Sequence, residues 1–213
     1  INAAYNLESG KEVMALVKKY PEMYGVVGLH PENISEDFDY TIFDNLDKKI
    51  VGIGEIGLDY HYTKDNKDKQ IEIFEHQLNI AEKLNLPVVI HSREAAGDTL
   101  EILKKHHNFG VIHSFSGSLE MAKEYIKLGF ILGVNGVVTF KNCNLSDTLK
   151  NIDINSIILE TDSPYLTPVP FRGTQNNPAK MMNTAKFVAD IYGVSLSELA
   201  KITNQNIKRI FDI

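Results

Sequence analysis

The sequence has no run of apolar residues that approaches the ~18 residues a membrane-spanning helix requires. It also has no excess of basic residues, since 22 Lys and Arg stand against 28 Asp and Glu, for a net charge of −6. This balance argues against a broadly basic nucleic-acid-binding protein, although a local positive patch or bound metal ions could still hold a phosphate. With one cysteine, Cys143, no internal disulfide can form, and we expect a reducing compartment, the cytoplasm.

Low-complexity segments, charge blocks, linkers and internal repeats are absent as well. The 213 residues are 43% apolar and 23% charged, which are ordinary globular proportions. Such a chain can bury one sizeable core, so we predict a single domain covering residues 1–213.

Six short runs rich in Val and Ile lack the polar alternation of a half-exposed strand, which is typical of strands buried in a parallel sheet. These runs are residues 24–30, 50–57, 87–92, 110–115, 130–135 and 156–161. Amphipathic patterns separate them, as where Ile71, Phe74 and Leu78 recur at helical spacing. Two further helices are predicted after Pro178 and Ser195. Strand–helix alternation of this kind indicates an α/β fold.

An open doubly wound sheet and a TIM-type (β/α)8 barrel both show this alternation. Five of the six runs carry a residue with metal-ligand or acid–base chemistry at or just beyond their C-terminal end. These residues are His30, Glu55, His91, His113 and Asp162. A barrel gathers its strand ends around one pocket, so we predict the barrel. Eight strands are needed and six are counted, so we expect roughly 35 N-terminal residues to be absent from this chain.

Two His, one Glu and one Asp at successive strand ends form a divalent-metal pattern. Imidazole suits zinc, iron or manganese, and carboxylates suit harder ions and can bridge two of them. A lone buried His is more often a core residue than a ligand, but His91 and His113 both follow an apolar run and precede Ser. This repetition favours a metal site, and a metal pair about 4 Å apart can promote phosphoester cleavage.

The segment 52–57 matches G-x-G-x-x-G, the dinucleotide-binding fingerprint, without its structural context. Its glycines lie inside an apolar run, no helix pattern follows, and Glu55 would repel a diphosphate. We predict instead a tight strand that carries one functional side chain, Glu55.

Five segments, found along the whole chain in the family's order, resemble the signatures of the TatD family of metal-dependent deoxyribonucleases, which are amidohydrolase-type barrels. They are GEIGLDYH (54–61), PVVIHSREA (87–95), VIHSFSGS (111–118), LETDSPYL (159–166) and VPFRGTQNNPA (169–179). The resemblance implies a phosphodiester hydrolase that acts on DNA, at ends or in single strands, through a metal-activated water. It implies two divalent metal ions, with Zn, Mg and Mn not distinguished. We infer no obligate protein partner, and the lack of long apolar runs argues against a membrane.

The resemblance also implies roles for individual residues. Glu55 would bridge the two metals, and His91 and His113 would ligate the second one. Asp162 would bind the first metal and orient or deprotonate its water, which makes Glu55 and Asp162 the predicted catalytic residues.

Predicted substrate contacts come from Arg93, Arg172 and His61. Arg holds phosphate oxygens through a planar fork, and the alternative for each Arg is an ordinary surface ion pair. His61 either points into the pocket or lines its rim. For His30, a pocket-facing position and a core position both stay open. Tyr60, Tyr62 and Tyr165 flank the motif segments, where aromatic rings either stack on bases or pack in the core or rim.

The chain departs from the family in one important respect, because it contains no His-x-His pair. In the family this pair ends the first strand and completes the first metal site. We therefore expect the first strand, its helix and most of the second strand to be absent here. Gln175 and Asn177 also replace the family's usual Arg and acidic residue. A small-molecule amidohydrolase, and an inactive fragment, remain the alternative functions.

Overall fold

The computed structural model describes residues 1–34, 37–61 and 65–213. The chain forms two compact units, residues 1–111 with 211–213 and residues 112–210. The prediction of one domain over 1–213 therefore stays a prediction. None of the helices in the described residues is both long enough and apolar enough to cross a membrane.

Seven strands lie in the described residues, and six of them overlap the six apolar runs, although β2, β5 and β7 are only three residues long. The strands are β1 (Asn2–Ala3), β2 (Gly25–Val27), β3 (Ile50–Asp59), β4 (Val88–Arg93), β5 (Gly110–Ile112), β6 (Phe130–Val134) and β7 (Ile157–Leu159). The six predicted strands are thus confirmed. The sequence did not predict β1, because two residues are too few to show a period.

Helices occupy the segments between the predicted strands, as the amphipathic patterns indicated, and one further helix precedes the first predicted strand. They are α1 (Leu7–Lys19), α2 (Lys67–Leu84), α3 (Ala96–Leu103), α4 (Leu119–Lys127), α5 (Leu145–Leu149), α6 (Met181–Tyr192) and α7 (Leu196–Phe211). α6 follows a 3-10 turn that begins at Pro178. Ser195 caps α7, because its Oγ accepts a hydrogen bond from the Glu198 amide at 3.2 Å. Both C-terminal helices are thus confirmed.

In the first unit the strands β1, β2, β3 and β4 pair in chain order, and every pair is parallel. β3 is buried along nearly its whole length, with Ile53, Ile56 and Leu58 fully buried. Phe74 and Leu78 of α2 are also fully buried. A strand buried on both faces is typical of a parallel sheet covered by helices, which explains why the run 50–57 shows no polar alternation.

In the second unit β6 and β7 are also parallel, with Leu132 opposite Ile157. Asn206 of α7 is buried and donates hydrogen bonds from Nδ2 to the carbonyls of Ile154 and Ile157, which tie the helix to the start of β7. Parallel strands separated by helices in both units confirm the α/β class. The closed eight-stranded barrel and the absent N-terminal elements stay predictions.

Candidate active site

A β-bulge in β3 aims the Glu55 side chain. Ile53 pairs with Val88 and Ile56 with Ile90, so the interval on β3 contains one more residue than the interval on β4. A bulge bends the strand and re-aims the side chain that it carries. Glu55 is the polar residue of this bulge, and it is only partly buried within an otherwise buried strand.

The glycines around Glu55 let β3 and β4 approach closely. A Cβ on Gly57, whose φ is +142°, would lie 2.0 Å from the carbonyl oxygen of His91. A Cβ on Gly54 would lie 2.7 Å from the Cβ of Val89. The G-x-G-x-x-G segment therefore lies within a strand and serves close packing, as predicted, and the dinucleotide interpretation stays excluded.

Glu55 lies between two histidines. Its Oε1 is 2.9 Å from Nδ1 of His91 and 3.6 Å from Nε2 of His30, and the two imidazole rings meet edge to face at 4.4 Å. The three side chains are only 12–17% exposed. Each of the three offers a ligand atom within 4.8 Å of the others. Within the described residues, no other group of three His, Cys, Asp or Glu side chains comes together this way.

A second carboxylate holds the far side of His91. Nε2 of His91 lies 2.9 Å from Oδ2 of Asp59, whose side chain is almost fully buried. A carboxylate can only accept, so both ring nitrogens must carry a proton to satisfy Glu55 and Asp59 together. Burial alone would lower the pKa of His91, but the hydrogen bonds and charges of Asp59 and Glu55 outweigh it and raise the pKa to about 9.

This pKa gives a test of the metal-free protein. Folding raises the pKa of His91 from 6.5 to about 9, so the folded state holds a proton that the unfolded chain loses. The stabilisation is fully present below pH 6.5 and is lost as the pH rises through 9. We expect the free energy of unfolding, measured by urea denaturation with a chelator, to fall by about 3 kcal/mol over this interval. His91→Asn should remove this fall, and an equal fall in the variant would contradict the assignment.

The cluster fits a divalent metal ion. Two imidazole nitrogens and one carboxylate oxygen form a donor set suited to zinc, manganese or iron. Nδ1 of His91 faces Glu55 and is therefore the nitrogen that would ligate the metal. Nε2 would then donate a hydrogen bond to Asp59, which is the usual arrangement behind a metal-bound histidine. The predicted ligands Glu55 and His91 are therefore brought together.

The other two predicted ligands lie together in the second unit. Nε2 of His113 is 3.2 Å from Oδ1 of Asp162, and its Nδ1 is 2.8 Å from Oε2 of Glu160. The side chains of His113 and Glu160 are about as buried as the Glu55 cluster, whereas Asp162 is 31% exposed. His113 thus repeats the arrangement of His91, an imidazole between two carboxylates. Whether the pairs Glu55–His91 and His113–Asp162 share metal ions stays a prediction.

Backbone contacts fix Glu160 behind His113. Its Oε1 accepts a hydrogen bond from the Ser114 amide at 2.6 Å. Gly133 of β6 leaves the space, because a Cβ there would lie 2.5 Å from Oε2 of Glu160. The buried Asn135 donates to Oγ of Ser114 at 2.7 Å and fixes the same turn. These contacts hold the His113 ring in one orientation.

Two predicted substrate contacts lie at the exposed end of the first unit. Arg93 is exposed and pairs in register with Asp59. His61 is half-exposed and lies 2.6 Å from Oε1 of Glu94 through its Nδ1. The His61 amide follows the end of β3 and donates to Oδ1 of Asp59 at 2.8 Å, so both residues lie beside Asp59. Their contacts with a substrate stay predictions.

Arg172 lies in the second unit and stacks on an aromatic ring. Its guanidinium carbon is 3.7 Å from the centroid of the Phe140 ring. Among residues 1–34, 37–61 and 65–213 no hydrogen bond or ion pair of Arg172 is found, and its contact with a substrate stays a prediction.

The three tyrosines of the motif segments differ in exposure. Tyr60 is buried and donates a hydrogen bond from its hydroxyl to Asp98 at 2.8 Å, so packing accounts for it. Burial and the Asp98 carboxylate raise the pKa of Tyr60 well above its usual range. Tyr165 is 72% exposed and remains available to stack. Tyr62 lies outside the described residues.

Three site residues were missed or left open by the sequence reasoning. Asp59 lies four positions after Glu55 in the same strand, and Glu160 lies two positions before Asp162. An even spacing within one strand places two side chains on one face, so the signal for Asp59 was readable. Glu160 and Asp162 both follow the end of β7 at Leu159, so strand periodicity did not indicate Glu160. His30 was left open between pocket and core, because a single His before a proline has no second feature that distinguishes the two.

The chain matches one family model over nearly its whole length. Residues 1–212 match the family described as TatD related DNase. The chain is 38% identical over 208 residues to the uncharacterized metal-dependent hydrolase YabD from Bacillus subtilis strain 168, covering 94% of this chain and 82% of the relative. It is 40% identical over 192 residues to the uncharacterized metal-dependent hydrolase YcfH from Escherichia coli strain K12, covering 87% and 72%.

A solved structure shows the same relationship. The TatD homolog YJJV from Escherichia coli K12 superimposes with a TM-score of 0.92 at 29% identity, covering 99% of this chain and 85% of that one. A hydrolase of the TatD family from Entamoeba histolytica, at 22% identity and a TM-score of 0.84, shares the fold. The similarity extends over both units, as did the resemblance found in the motif segments.

Proposed function

This chain belongs to the TatD-related DNase family of metal-dependent hydrolases, and from that membership we propose that its substrate is the phosphodiester bond of DNA, at strand ends or in single strands. One observation carries the hydrolase chemistry: His30, Glu55 and His91 converge as a largely buried three-ligand cluster. The unpaired guanidinium of Arg172 among the described residues supports a phosphate-containing substrate.

The cluster would hold a divalent ion through His30, Glu55 and His91. When bound, such an ion supplies a Lewis acid for a phosphoryl oxygen and lowers the pKa of a water molecule. Asp59 holds the His91 ring in place by accepting from Nε2, and Glu55 supplies the negative charge that a cation requires.

Residues of the second unit would act on the attacking water and on the phosphate. Asp162 would orient the attacking water and accept its proton, and His113 would act as a further ligand. Asp162 is suited to this role because its carboxylate is partly exposed and held by His113 at 3.2 Å. Arg93 would offset the charge that develops on the phosphoryl oxygens in the transition state, and Arg172 would hold a phosphate of the bound substrate, because fixed guanidinium groups bind such oxygens through two hydrogen bonds.

The substrate class is tested by comparing bond types on one preparation. Metal-loaded protein should release nucleotides from single-stranded and double-stranded DNA, and a chelator should stop the release. A panel of simple amides and lactones, assayed under the same conditions, should be turned over at least about tenfold more slowly, because discrimination of this size follows from a site built for a charged group. Turnover confined to amides or lactones would overturn the proposal in favour of a small-molecule amidohydrolase.

A further inference from the structure

Two cavities of the second unit lie on either side of the stacked pair Phe140 and Arg172. One cavity has a volume of about 450 Å³ and reaches Ser116, Lys141 and Asn144. The other, of about 350 Å³, reaches Tyr165. Phe140 and Arg172 line both cavities. The two volumes fall in the range of about 300–1,000 Å³ that small-molecule sites occupy. We name this pair of cavities the Arg172 groove.

Side-chain and backbone contacts build the groove. Oγ1 of Thr139 accepts from the Val169 amide at 2.9 Å, which joins the segment before Phe140 to the segment before Arg172. The buried Asn176 donates from Nδ2 to the carbonyls of Thr161 and Tyr165 at 2.6 and 2.7 Å. These bonds join the segments that line or border the groove, and they do so independently of any ligand.

A glycine adds to this framework. A Cβ on Gly136 would lie 2.3 Å from the carbonyl oxygen of Leu166, so glycine permits the close approach of these two groove segments. The backbone of both walls is therefore held before anything binds, which lowers the cost of ordering the site on binding.

The groove combines positive charge with an aromatic ring. Lys141 and Arg172 form no ion pair or hydrogen bond with another residue in the described part of the chain, although the protein has a net charge of −6. Stacking on Phe140 leaves the in-plane N–H groups of Arg172 directed outward from its edge, where a phosphate accepts two of them. Phe140 and the exposed ring of Tyr165 offer faces for bases.

The groove adjoins a predicted catalytic residue in the same unit. The Tyr165 amide donates to the carbonyl of Asp162 at 2.8 Å, so one turn carries both the carboxylate and a wall of the groove. Ser116, on the other cavity, follows His113 by three residues. A polymer whose phosphodiester reached Asp162 would therefore extend its neighbouring nucleotides along this wall.

We propose that the Arg172 groove binds single-stranded DNA next to the cleaved bond. Arg172 grips the phosphate between two successive nucleotides, Lys141 attracts a further phosphate, and Phe140 and Tyr165 stack on the bases. This assignment rests on the proposed function for its choice of polymer. It adds a subsite that sets how many nucleotides the enzyme recognises beyond the reacting one.

The test measures binding without turnover. A fluorescein-labelled single-stranded DNA hexamer is titrated with chelator-treated protein, and its anisotropy gives Kd at several salt concentrations. Arg172→Gln should raise Kd at least about tenfold and make the slope of log Kd against log salt shallower by about 0.7, the loss of one phosphate contact on a single strand. Phe140→Leu should raise Kd about fivefold or more through lost stacking.

The matched control is Lys186→Gln, which removes an exposed cation from α6 in the same unit. Its Kd should stay within about twofold of the native value, because the substitution alters only the long-range electrostatic attraction. Arg172→Lys keeps the charge without the planar fork and carries the test if the Gln variant does not fold; its Kd should also exceed that of the control.

The proposal that the groove binds single-stranded DNA would be overturned by equal Kd values for Arg172→Gln and Lys186→Gln. It would also be overturned if the native chain did not bind the hexamer. The outcome is separable from the proposed function. Native protein that binds the hexamer through Arg172 but cleaves no DNA contradicts the nuclease proposal alone. If the native protein cleaves DNA and Arg172→Gln binds the hexamer with native Kd, only the proposed role of the groove is contradicted.

Discussion

Replacing Glu55 by Gln is expected to lower kcat/KM for DNA at least about 100-fold, because removal of even an outer partner of a metal ligand costs 10–100-fold. Gln keeps the size of the side chain but removes the charge between His30 and His91. The same change should lower the pKa of His91 from about 9 towards its ordinary value, because one of its two carboxylate partners is lost. Ring NMR signals of His91 in the metal-free protein measure that shift independently of activity.

Glu101→Gln provides the matched control. Glu101 is 67% exposed, and its ion pair in the described part of the chain is with Lys104 at the end of the same helix, so its removal should leave both kcat/KM and bound metal unchanged. Metal content after dialysis should fall in Glu55→Gln and stay at the native level in Glu101→Gln. Native activity with native metal content in Glu55→Gln would remove Glu55 from the mechanism.

Replacing Asp162 by Asn should lower kcat by about 10²–10⁴-fold, which is the usual contribution of a proton-transfer group. Asn preserves the shape of the side chain and an oxygen facing His113, so folding should be retained. The loss should appear in kcat more than in KM, because a proton acceptor acts in the transition state rather than in binding.

Asp147→Asn is the control for this second substitution. Asp147 is 82% exposed on the same unit and pairs with Lys150 across one helical turn, so it should retain native kcat. If Asp162→Asn lost activity only through a raised KM, a role in binding would replace the role in proton transfer. Equal kcat values for the two variants would exclude both roles.

The strands were predictable from the sequence because burial on both faces leaves a direct signature. The run 50–57 has no polar alternation, and the structure buries β3 almost throughout. β1 was not predictable, because Asn2 and Ala3 form a strand only through their pairing with β2, a contact between distant parts of the chain.

The candidate site was predictable in part. The sequence indicated Glu55 and His91 as partners because both come near the C-terminal ends of predicted buried strands, and the structure places them 2.9 Å apart. It left His30 undecided, since the distance from Nε2 of His30 to Glu55 depends on how β2 packs beside β3. Arg172 was predicted to hold phosphate, but its stacking on Phe140 depends on two segments about 30 residues apart.

By itself, the order of the residues determined the α/β class, the helices and most of the chemical groups, because these depend on local periodicity and on which side chains follow a buried run. Only the tertiary structure decided that His91 lies between two carboxylates, that a bulge aims Glu55, and that Phe140 and Arg172 meet. These features depend on register and packing between segments far apart in sequence, and side-chain spacing along one strand or helix contains no information about either.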